Sequence, residues 1–154
     1  MHSPNRAHAL VILVALAASS FHAGAGQQLN WQADVQIRTL EVTRAKTALS
    51  VRVVVYTEDD DEARDVRLLV LLPVGAGIQR LGAGCVASSG PPMVPALRAT
   101  VTCELGSIAD RAFHEVVLTI SRPPEGTPTR LGVFAYSSTP DPRPANNFAE
   151  RVLP

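Results

Sequence analysis

The sequence predicts an all-β, immunoglobulin-like antiparallel β-sandwich of about seven to eight strands, preceded by a signal peptide. Three observations carry this. Short runs of alternating apolar and polar residues follow one another from Trp31 to the C-terminus, at spacings of roughly 8–15 residues. Clusters of Gly, Pro, Asp and Asn separate the runs, as turns require. No helical period appears after residue 25.

The first 25 residues stand apart from that domain. Met1–Arg6 is polar with one firm positive charge, and residues 9–18 are nearly all apolar. Ala23-Gly24-Ala25 then supplies a small-x-small site. That order is a secretory signal peptide, with cleavage expected after Ala25. The apolar run falls short of the roughly 20 residues that cross a bilayer, so no stable membrane insertion of the mature chain is expected. The protein is expected to be secreted or periplasmic. Residues 26–31 read as a lead-in and 32–154 as a single domain.

Within the domain, Trp31–Thr43 alternates in part, with Val35 and Ile37 on one face and Asp34, Gln36 and Arg38 on the other. Trp31, the sole Trp, is expected to plug the core at the start of this strand. Residues 48–57 form the clearest early strand: Leu49, Val51, Val53 and Val55 share a face rich in β-branched side chains. Glu58-Asp59-Asp60-Asp61-Glu62 breaks it, because like charges in a row repel and stay solvated. Residues 64–72 return with Val66, Leu68, Val70 and Leu72 on one side, until Pro73 stops the ladder. Residues 78–83 suit a short edge strand. Residues 98–105 place Val101, Cys103 and Leu105 together. Residues 113–120 place His114, Val116, Leu118 and Ile120 together, and residues 129–137 Leu131, Val133 and Ala135. A loop stiffened by three prolines spans 139–147, and residues 148–153 close the chain.

Composition excludes several functions. Removing the signal leaves 13 basic and 14 acidic residues, a formal charge of −1. That balance lacks the basic face a nucleic-acid binder needs and the patch an anionic membrane attracts. The two cysteines of an exported chain predict a disulfide between Cys85 and Cys103. Closing a loop of that size stabilises the fold by roughly 3 kcal/mol.

Four pieces, in order, resemble the bacterial conserved-repeat modules (domain-of-unknown-function type eleven) and their kin, the CARDB cell-adhesion-related modules. They are residues 63–75, ending in Leu72-Pro73-Val74-Gly75; Cys85 with Thr100–Ile108; Phe113–Ile120; and Asp141-Pro142-Arg143-Pro144-Ala145-Asn146-Asn147. The resemblance covers roughly residues 32–153. It implies an immunoglobulin-like sandwich in secreted or envelope proteins, used as a spacer or adhesive module. This chain has one copy, and carries Glu58–Glu62 where the family usually has an Asn-x-Gly turn.

Candidate chemistry is sparse. Glu58, Asp59, Asp60, Asp61 and Glu62 are the possible Ca²⁺ ligands, with Asp141, Asn146 and Asn147 as further oxygens if their loop lies at the same end. A solvated loop and a capped turn are the alternative readings of these residues. His114 is the one His of the mature chain, and no Ser sits in a nucleophile-elbow setting beside it. Cys85 and Cys103 are too far apart in sequence for the usual redox motif. The expected function is a non-enzymatic structural or interaction module without a cofactor, facing a protein or envelope partner through the 58–62 loop, the 86–97 loop or an exposed strand edge. A Ca²⁺-dependent binding module is the alternative, and a small secreted hydrolase using His114 a third.

Overall fold

A computed structural model of the chain describes residues 31–58, 61–88, 99–124 and 129–153. The expected signal peptide, residues 26–30, Asp59, Asp60 and most of the 86–97 loop lie outside the described residues. Nine strands are present among the described residues: β1 (Asp34–Arg44), β2 (Ala48–Glu58), β3 (Ala63–Leu71), β4 (Ile78–Arg80), β5 (Cys85–Ser88), β6 (Thr100–Ile108), β7 (Phe113–Ser121), β8 (Arg130–Tyr136) and β9 (Phe148–Val152). β5 is the extended segment expected at Cys85, beside the strand that carries Cys103.

Two antiparallel sheets form a sandwich, one ordered β1-β2-β7-β4 and the other β5-β6-β3-β8-β9. β1, β2, β7 and β4 take the places of strands A, B, E and D of an immunoglobulin domain; β3, β8 and β9 take those of C, F and G. Between β3 and β6 the chain departs from the usual order. It crosses to the four-stranded sheet as β4, then returns to extend the other sheet with β5 and β6.

Alternation dictates which residues meet between the sheets. Leu49, Val51, Val53 and Val55 of β2 face inward with Val116, Leu118 and Ile120 of β7. From the other sheet come Val66, Leu68, Val70, Val101, Cys103, Leu131, Val133 and Ala135. All of these are buried, and each large aliphatic contributes about 1.5–3 kcal/mol by leaving water.

Three expectations change at the edges. β1 alternates only in part because its pairing with β2 shifts between Ile37 and Thr39. The extra residue of this bulge reverses the parity, so Leu40 and Val42 join Ile37 in packing on the core. Trp31 is not a core plug: it is 42% exposed, with the Arg64 guanidinium 4.7 Å from its ring centre. It stands beyond the sheet end, where the small Ala33 takes the inward position and is held by a hydrogen bond from its N–H to the Pro140 carbonyl. Asp34, expected on the solvent side, is buried.

Candidate functional site: a sheet face and a loop end

Glu58, Asp61 and Glu62 do lie at the same end as the 139–147 loop, together with the start of β1. Asp141 holds two backbone groups: its Oδ2 accepts the Val35 N–H at 3.0 Å and its Oδ1 the Arg143 N–H at 2.7 Å. Asn146 Nδ2 donates to Asp34 Oδ1 at 2.8 Å, and the Asn147 carbonyl accepts the Ala135 N–H at 2.9 Å. Thr139, also buried, accepts the Arg64 N–H and donates to the Glu62 carbonyl. Short polar side chains here replace backbone partners, as turn-forming Asp, Asn and Thr do. The Asp141, Asn146 and Asn147 turn therefore straps β1 to β8, and Thr139 adds β3.

Asp61 and Glu58 are drawn into the same strap. Asp61 Oδ2 accepts the Gln32 N–H at 3.0 Å. Glu58 accepts Gln36 Nε2 at 3.1 Å and lies 3.6 Å from Arg143. The positive charge beside buried Asp34 is that of Arg143, 2.6 Å away. The Oδ1 atoms of Asn146 and Asn147 are buried and meet no hydrogen-bond donor among the described residues. Also among the described residues, no three His, Cys, Asp or Glu side chains converge as metal ligands would. His114 sits exposed opposite Val55 at the start of β7, with no acid, Ser or Cys bonded to it among the described residues.

Cys85 and Cys103 face each other directly across β5 and β6, and are bonded. Cys103 is fully buried and Cys85 partly so. The bond fixes the short edge strand β5 to the sheet.

That anchoring completes a second feature, which single-strand reading does not reveal. The registers of four strand pairs place Val86, Thr102, Leu69, Phe134 and Phe148 in one row across the outer face of the five-stranded sheet. Val86 is 64% exposed and Phe148 51%. Tyr136 and Leu71 flank the row, and the Phe134 and Tyr136 rings stack with centroids 5.9 Å apart. Val152, 65% exposed, lies farther along β9, beyond Glu150 and opposite Arg130. Two ion pairs bound the row: Arg67 Nε to Glu104 Oε2 at 2.8 Å on one side, and Arg130 to Glu150 at 3.1 Å on the other. Hydrogen bonding to Tyr136 first, and to Glu104 next, raises the Arg67 guanidinium above its ordinary value.

The four-stranded sheet also has a groove, of about 480 Å³, over β7, from Ser50 of β2 to Arg80 and residues 81–83. Its polar lining of Ser50, Arg80, Glu115 and Thr119 includes no His or Cys beside an acid.

No protein-family model matches the chain. No curated protein matches it. Among solved structures, it is similar to the chitin-binding domain of Chi18aC from Streptomyces coelicolor, at 13% identity over 65% of this chain and 90% of that one, TM-score 0.41. It is also similar to domains D2 and D3 of the major pilin SpaD from Corynebacterium diphtheriae, at 9% identity over 79% of this chain and 48% of that one, TM-score 0.42. A third likeness is to an exo β-N-acetylglucosaminidase from Vibrio harveyi, at 8% identity over 80% of this chain and only 17% of that one, TM-score 0.39.

Proposed function

We propose that this chain is an exported, non-enzymatic immunoglobulin-like interaction module of the bacterial envelope or extracellular space, of the conserved-repeat and CARDB kind. Its contact surface is the outer face of the five-stranded sheet. The observation that carries the reading is the row from Val86 to Phe148, which leaves aromatic and branched side chains in water on a rigid sheet. Contiguous exposed apolar area of this kind marks interaction sites, and aromatic residues with Arg at the border are the usual composition of contact surfaces.

A photo-crosslinking amino acid at Val86 or Phe148, compared with one at Thr43 on the opposite face, tests this. Adducts to a protein in the envelope or extracellular fraction, the chain's own copies included, are expected from Val86 and Phe148 and not from Thr43. Adducts from Thr43 alone, or a turnover lost on His114→Ala, would overturn the reading. Intact mass of the recovered protein tests the export step. A chain beginning near Gly26 without a free thiol is expected; a full-length chain with two alkylatable thiols would sink it.

A further inference from the structure

The proposed contact face has a chemistry that selects one partner. We infer that it pairs with the same face of a second copy of this chain; the inference rests on the contact-surface reading above.

The two ion pairs sit where a second copy can meet them with opposite charge. Across the sheet, Glu104 and Arg67 occupy adjacent strands β6 and β3, directly opposite each other. Glu150 and Arg130 occupy β9 and β8, one step apart along the ladder. Their midpoint falls between Leu69 and Phe134, themselves a registered pair. Strand spacing and rise put the two ion pairs roughly 20 Å apart.

A face-to-face pair of identical molecules has a twofold axis lying in the interface, so the same patch serves both copies. Run that axis through the Leu69–Phe134 pair, perpendicular to the line joining the two ion pairs. On the lattice of strand spacing and rise, Glu104 then falls opposite Arg130 of the second copy, and Arg67 opposite Glu150. Both contacts join opposite charges. Phe134 lies beside the axis and meets its own mate, as does Leu69. The apolar centre is thus covered by apolar centre and each charged rim by its complement, the arrangement that fixes register in interfaces. A mature chain of formal charge −1 adds little overall repulsion.

Sedimentation velocity of the mature chain, with the disulfide intact, tests this from about 5 to about 500 μM, a range suited to a modest interface. A concentration-dependent dimer is expected. Phe148→Glu places a charge in the apolar row and should weaken it at least about tenfold, with the melting temperature retained. The double variant R67E/E104R keeps its own ion pair within each molecule but sets like charges across the axis; it should also weaken the dimer. Adding R130E and E150R to that double variant restores opposite charges and should recover dimerisation.

A wild-type chain that stays monomeric throughout overturns the inference. So does a dimer untouched by Phe148→Glu, or a quadruple variant no better than the double. Failure of the broader reading looks different. A monomeric chain that still gives Val86 and Phe148 adducts to another protein loses only self-pairing, whereas a monomer without such adducts loses both.

Discussion

On the outer face of the four-stranded sheet, Arg52 reaches Glu41 at 3.1 Å on β1 and Glu115 at 2.7 Å on β7. Hydrogen bonding to Glu115 first, then to Glu41, raises the Arg52 guanidinium above its ordinary value. Arg38 lies 4.5 Å over the Tyr56 ring. Val54, on this same face, is only 7% exposed. On the five-stranded sheet the corresponding Arg residues lean sideways onto Glu104 and Glu150 at the borders, and the middle is left bare. Both faces have outward apolar side chains. On the four-stranded sheet charged arms lie beside Val54, as Arg stems do along apolar surface, while Phe113 and Val117 of β7 stay 67% and 43% exposed; on the five-stranded sheet the exposed aromatics are joined in one registered row. An outward Val or Phe in the sequence therefore says little by itself; the placement of its charged neighbours decides whether it meets water.

The largest effect lies inside the sandwich. Leu68 is fully buried beneath the apolar face, and Leu68→Ala should cost about 2–5 kcal/mol. Denaturant unfolding measures it, and a loss below that range would mean the sheets are not packed as described. Next comes the link that holds Val86 in the face. Replacing both Cys85 and Cys103 with Ser should cost roughly 3 kcal/mol, and amide exchange of β5 should rise more than that of β2.

At the loop end, Asp141→Ala leaves the Val35 N–H without its acceptor, at a cost of about 1–3 kcal/mol. Asp141→Asn, which keeps an acceptor oxygen, should recover part of it in the same melts.

The faces themselves give the smallest stability changes and the sharpest contrast. Phe148→Ser should alter stability by no more than about 0.5 kcal/mol yet lower binding of a hydrophobic dye. Arg52→Ala should raise dye binding by uncovering Val54, at a cost of about 1 kcal/mol or less, as for other exposed ion pairs. Equal dye responses to the two changes would dissolve the difference between the faces.

Much of the fold is legible from the residues, because one face of β2, β3, β7 and β8 stays apolar over most of each strand even where the other face also carries apolar side chains. β1 was legible only to its bulge, since one inserted residue inverts the parity of everything after it. β5 carries too few residues to show a period. Asp34 looked like any solvent-facing carboxylate; its burial depends on Asn146 and Arg143, 112 and 109 positions later in the chain. The disulfide is readable from two cysteines in a chain expected to be exported. The contact row was not: Leu69, Thr102 and Phe134 each stood outward on their own strands, but only strand order and register assemble them. The acidic run drew attention through its charge, whereas Glu58 and Asp61 act by holding Gln36 and Gln32.

The Cys85–Cys103 bond has a consequence for how damage would show itself. Every peptide bond between the two cysteines lies inside a covalent ring. One protease cut anywhere in that ring separates nothing. The nicked chain migrates as a single species heavier by one water, and parts into two fragments only when reduced. A preparation judged whole on a non-reducing gel can therefore contain a broken backbone, with each half still supplying its strand to the same sheet.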